Sequence, residues 1–140
     1  MSKRFTEISK WNDPWFRKLI PEDKLFWLYI CDNCDNAGVW KVDFELAAFH
    51  IGGSMDAEKM TRLNKGKERI KMFGDNGFLL IKDFVNFQIG NIYSKCLTNL
   101  QKSSFLLIEK YIKNYGLTEE DFKLTGKLPV VYGYKYKGKG

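Results

Sequence analysis

Cysteine, proline and histidine are scarce in this chain: three, three and one among 140 residues. Three cysteines cannot pair fully, which argues against a disulfide-built scaffold. Cys31 and Cys34 form a lone CxxC with no second pair, in the last turn of an expected helix, a poor setting for zinc or redox chemistry. The single histidine, His50, follows Ala47-Ala48-Phe49 and reads as a packed or capping residue. The longest fully apolar run, Leu25 to Cys31, is seven residues, against roughly 20 for a membrane-spanning helix. The start, Met1 to Glu7, lacks the apolar core of a signal peptide, so a cytoplasmic protein with no membrane partner is expected. Walker A, GxSxG, HExxH and GxGxxG patterns are all missing. Asp32-Asn33-Cys34-Asp35-Asn36 fails as a calcium loop, because with Gly38 at position 6 the twelfth position is Phe44. Nothing assembles a nucleophile, base and oxyanion hole. The expectation is a protein that is not an enzyme and carries no cofactor or metal.

What is present is apolar and aromatic. Apolar residues make up 44% and aromatics 16%, which excludes wholesale disorder, and the length suits one domain with an appendage. The net charge is +6, an excess that favours polyanionic partners. It is unevenly placed. Residues 1–54 carry 7 basic and 8 acidic side chains, net −1; residues 55–82 carry 7 and 4, net +3. Residues 83–122 carry 4 and 5, net −1; residues 123–140 carry 5 lysines and no acid. The body is near neutral, with one internal basic segment and a basic tail.

Local signals divide the chain. Asp13 caps a short helix that Pro14 opens. Pro21 opens a second, apolar almost all round and therefore expected to be central and buried, ending at Asp35-Asn36-Ala37-Gly38 with Gly38 as a left-handed stop. Val39 to Val42 alternates as a short strand. Asp43 caps Phe44 to Ile51, and Gly52-Gly53 breaks it. Ser54 caps a further helix, Met55 to about Lys65, with Met55, Met60 and Leu63 inward and Lys59, Arg62 and Lys65 outward. Arg69 to Phe73 and Phe78 to Ile81 flank Gly74-Asp75-Asn76-Gly77, a hairpin turn whose residues tolerate positive φ. A long helix follows from about Ser94 to Asn114, with Leu97, Leu100, Leu107, Ile108, Tyr111 and Ile112 as its apolar face. Thr118 to Asp121 starts one more turn in the manner of a capping box. The tryptophans, Trp11, Trp15, Trp27 and Trp40, read as core.

Helix, strand, helix, tight turn, helix, strand, turn, strand is the order of a winged helix, an α+β helix-turn-helix with a hairpin attached. The expected divisions are an N-terminal extension (1–20), the winged helix (21–90), a C-terminal helical extension (91–122) and a Gly/Lys/Tyr-rich tail (123–140), disordered at its end.

In that fold the helix before the hairpin enters the major groove, and here it is basic. Lys59, Arg62, Lys65, Lys67, Arg69 and Lys71 fall within thirteen residues, opposed only by Glu68. Arginine suits bidentate contact to guanine and lysine neutralises phosphate. Thr61 and Asn64 are candidates for base contact, and Lys71 and Lys82 for backbone contact at the hairpin stem. The hairpin tip, Asp75-Asn76, lacks the cations of a minor-groove wing. Lys135, Lys137 and Lys139 of the tail add an electrostatic arm, beside tyrosines able to stack on unpaired bases.

Four stretches carry a family resemblance: Trp11 to Leu19, Pro21 to Tyr29, Asp32 to Trp40 and Phe84 to Gly90. Together they resemble the N-terminal winged-helix domain of phage replication initiators, or replisome organisers, relatives of DnaD-type primosomal proteins. The resemblance spans about residues 8–115. It implies binding of double-stranded origin DNA in a bacterial host cell at the start of phage or prophage replication, and recruitment of a helicase loader or helicase. The tail looks like the start of the linker that joins such domains to a C-terminal region. Two alternatives are a winged-helix adapter, self-associating or contacting a loader through apolar surface near Leu107 and Tyr111, and a transcriptional repressor.

Overall fold

The computed structural model describes residues 3–54, 58–90 and 97–124. A 3-10 turn, Ile8–Asn12, leads into α1 (Pro14–Arg17). The Trp15 amide donates to the Asp13 carboxylate at 2.9 Å, and Pro14 holds the first position, where a missing N–H costs nothing. Pro21 opens α2 (Pro21–Asn33) in the same way.

α2 departs from expectation twice. It fully buries Phe26 and Ile30 and half-buries Trp27, Leu28, Tyr29 and Cys31, but leaves Leu25 48% exposed, so it is central without being enclosed on every side. It also ends at Asn33, short of Gly38. The Arg4 guanidinium, arriving from the N-terminal segment, donates to the terminal carbonyls of Cys31 and Asp32 at 2.9 and 3.0 Å, and so satisfies groups every helix end leaves open. The Asp35 carboxylate then accepts from the Ala37 and Val39 amides. Gly38, at φ +81°, turns the chain into β1 (Val39–Lys41).

Asp43 caps α3 (Phe44–Ile51) through the Leu46 amide, and left-handed Gly52 ends it. α4 (Glu58–Leu63) is the helix expected from Met55; Met55 lies outside the described residues. It stops two residues before Lys65 because Asn64 folds back. Its side-chain oxygen accepts from the Arg69 and Ile70 amides at 2.8 and 2.9 Å, and its amide donates to the Ile70 carbonyl. β2 (Ile70–Phe73) and β3 (Phe78–Ile81) pair antiparallel, Phe73 opposite Phe78, around Asp75 and Asn76 at φ +55° and +64°. β1 pairs antiparallel with β3, giving the order β1-β3-β2.

A π-helical turn, Val85–Ile89, follows. Its Gln88 side chain clasps the extended Phe5 backbone, accepting from the Phe5 N–H and donating to its carbonyl. α5 (Asn99–Tyr115) begins at a Thr98/Gln101 capping box, and the last 3-10 turn, Glu119–Phe122, at the expected Thr118/Asp121 box. The expected residues 94–96 of the long helix lie outside the described residues.

Side chains alternate across a strand, and here both faces of the sheet are covered. Trp40, Ile70, Leu79 and Ile81 pack with Phe16, Phe26, Ile30 and Leu63 from α1, α2 and α4. Val39, Phe73 and Leu80 pack with Phe105, Ile108 and Tyr111 of α5 and with Phe122. α5 differs from expectation at two positions: Phe105 is buried and Leu100 is half-exposed. Tyr111 is buried too and Leu107 half-buried; the apolar surface beside them is carried by their exposed neighbours Leu106 and Tyr115, with Leu100 nearer the start of α5. Three tryptophans are core or half-buried, whereas Trp11 is mostly exposed against the edge of Phe16.

The Tyr111 hydroxyl donates to the Asp35 carboxylate at 2.5 Å, tying α5 to the turn before β1. Burial, then Asp35, pushes the phenol well above its ordinary value. A hydrogen bond to a charged acceptor contributes about 2 kcal/mol. Tyr111→Phe therefore lowers unfolding free energy in urea by about that amount; an unchanged midpoint would show that water replaces the bond.

Candidate nucleic-acid interface

α4 is placed by what it buries. Leu63 is fully buried and Met60 half-buried against α2 and the sheet. Residues four apart share a helix face, so a helix that buries Leu63 also turns Lys59 inward. The expectation that Lys59 faces solvent is corrected here: it is 1% exposed. Its ammonium lies 2.7 Å from Asp23, itself fully buried in the first turn of α2. Arg62, one-third exposed, completes the group, its guanidinium donating to both Asp23 carboxylate oxygens. Burial pushes the Asp23 carboxyl up, but hydrogen bonds from Arg62 and Lys59, with their charges, outweigh it and hold it below the ordinary value. Two cations on one carboxylate make a junction between α2 and α4.

The other expected contacts divide by environment. Asn64 is spent on the turn after α4. Arg69 also folds back: its guanidinium donates to the Leu63, Lys65 and Lys67 carbonyls and lies 3.9 Å from the centre of the Trp15 ring. Lys71 pairs with Asp121 at 2.9 Å, and Lys82 with Glu68 at 2.7 Å. Thr61, Lys65 and Lys67 are exposed. Thr61, Arg62 and Lys65 border a shallow depression of about 620 Å³ with Met60 and Asn64. The hairpin tip presents Asp75 and Asn76 to solvent. Lys135, Lys137 and Lys139 lie outside the described residues.

One cation was missed by reading the sequence. Lys123, which looked like the beginning of the tail, sits beside Lys67 and near Lys82. No local pattern signals this, because the neighbours belong to segments far apart in the chain.

Burial pushes the Cys31 and Cys34 thiols up to about 12, and a protonated thiol is a poor nucleophile. His50 is exposed and stacks on Tyr29. Among the described residues no three His, Cys, Asp or Glu side chains are grouped to hold a metal ion, and no helix is long and apolar enough to cross a membrane. Comparison with family models, curated proteins and solved structures finds no match.

Proposed function

We propose that this chain is a non-catalytic winged-helix DNA-binding protein acting in phage or prophage replication initiation. α2, β1, α3, α4 and the β2–β3 hairpin follow the order of that fold, with β1 joining the hairpin as the third strand. In this reading α4 and the turn after it face the duplex. The observation that carries it is the exposure of Lys65 and Lys67 in that turn, neither held in an ion pair among the described residues. Thr61 and the exposed part of Arg62 lie along the same depression. Lys59, Asn64 and Arg69 hold α4 and its turn in place. The resemblance supplies the setting: origin DNA, with a helicase loader or helicase as the next partner.

Each lysine contact to phosphate adds about 0.9 to the slope of log K against log salt. The Lys65→Met, Lys67→Met double variant therefore binds duplex DNA with a slope smaller by about 1.8. An unchanged slope overturns the assignment of those residues. Footprinting across the chain's own replication region separates origin binding from transcriptional repression.

A second reading, the interaction adapter, has Phe49 in its favour, an α3 side chain left 78% exposed. It predicts that duplex affinity survives the double variant and vanishes when residues 125–140 are deleted.

A further inference from the structure

Three lysines from three segments meet at the base of the hairpin. Lys67 closes the turn after α4, its carbonyl accepting from the Arg69 guanidinium at 3.3 Å. Lys82 follows β3; its N–H donates to the Arg69 carbonyl at 3.0 Å, across the hairpin base. Its side chain is 15% exposed and its ammonium lies 2.7 Å from Glu68. Lys123 comes from the last 3-10 turn, its carbonyl accepting from the Asn86 side chain at 2.8 Å. That turn is itself pinned to β2 by the Lys71–Asp121 pair at 2.9 Å. Hydrogen bonds thus hold the backbone of all three segments.

Two features of this arrangement are costly for the protein alone. Lys123 adopts φ +55° as the C-cap of the last 3-10 turn, a left-handed backbone in which a residue with a Cβ is uncommon. Its ammonium also has cations for neighbours: burial, then Lys67, and further Lys82 hold it below the ordinary lysine value, with Asp83 opposing. The acidic groups at this spot are Glu68, paired with Lys82, and Asp83. Three lysines against two carboxylates leave one positive charge, which matches a phosphodiester. Lysine is a compact point charge suited to phosphate.

We propose that Lys67, Lys82 and Lys123 form a cradle for one phosphate of a nucleic-acid backbone, so that the segment after α5 is part of the DNA-binding surface. The proposal rests on the DNA-binding reading and adds a contact remote from α4.

The test uses the full chain and three variants, Lys123→Met, Lys123→Gly and, as a control on the exposed end of α5, Lys113→Met. Duplex affinity is measured across a salt series. Lys123→Met keeps the aliphatic stem and lowers the slope, by at most the value of about 0.9 for one phosphate, whereas Lys113→Met leaves it unchanged. Lys123→Gly lowers it equally while melting at a higher temperature than the parent, because glycine takes a positive φ without strain. If the parent binds duplex and Lys123→Met keeps the full slope, the cradle is refuted and the DNA reading stands. If the parent binds no duplex, the DNA reading fails, and inorganic phosphate decides the cradle. Shifts of the Lys67, Lys82 and Lys123 amide resonances that vanish in Lys123→Met then support a site for free phosphate, and an unresponsive spectrum refutes it.

Discussion

Asp23→Ala lowers the stability of this protein by about 4 kcal/mol, and Lys59→Met by about 1 kcal/mol. The asymmetry follows from the stoichiometry of the junction: one buried carboxylate serves two cations. Removing Asp23 takes from the Lys59 ammonium, 1% exposed, the carboxylate that lies 2.7 Å from it, and breaking a buried ion pair from one side is among the costliest defects a mutation creates. Removing Lys59 leaves Asp23 held by both donors of Arg62, and methionine fills the space of the lysine stem. Urea unfolding of the two variants measures the difference; equal losses would show that the trio does not act as a unit. The same junction sets an acid limb. Asp23 is held below its unfolded value of 3.8, so the unfolded chain takes up the proton more readily. The contribution is complete above that value and is lost as pH falls through the lower folded value. Asp121, lowered by Lys71 and Thr118 against the opposing effect of burial, adds a contribution of the same sign. Asp23→Asn therefore flattens the acid side of the stability profile.

Gly38→Ala is the second large effect, about 3 kcal/mol. Gly38 sits at φ +81°, and an added Cβ would lie 2.7 Å from the Phe84 Cβ and 2.9 Å from the Ile81 carbonyl oxygen. That carbonyl and the core face of Phe84 cannot retreat without disturbing the pairing of β1 with β3. Gly52 is the internal comparison. Its φ is +83°, but nothing lies within 4 Å of its Cβ position. Gly52→Ala should cost only the left-handed backbone, about 1 kcal/mol. The difference of about 2 kcal/mol isolates the steric part, and denaturant midpoints of the two variants test it. Equal losses would mean that the β1 turn relaxes around the methyl group.

Legibility in the sequence tracks the distance between partners. Asp13 with Trp15, Asp43 with Leu46 and Thr118 with Asp121 bond two or three residues away, so capping chemistry reads directly from residue order. The Asp75-Asn76 turn belongs to the same class, since its φ angles are properties of the residues in it. The end of α2 does not: it depends on Arg4, 27 residues from Cys31. Leu106 and Phe105 of α5 are equally apolar in a list of residues, and only the position of the sheet decides that Phe105 is the buried one.

The candidate interface divides the same way. A basic segment, its place before a hairpin and its opposition by a single glutamate are facts of composition and order. Which cations meet solvent is not. Lys59 lies 36 residues from Asp23, and Lys71 50 from Asp121; both are claimed by acids that no window of the sequence could show. By itself the sequence determined the order of the main helices and strands, the caps at Asp13, Asp43 and Thr118, and the sign of the charge between α4 and β2, because each depends on near neighbours. The tertiary structure decided which of those charges are inside, and that the segment after α5 closes over the sheet and brings Lys123 to Lys67. Burial and ion pairing are set by elements that meet only after the chain has folded.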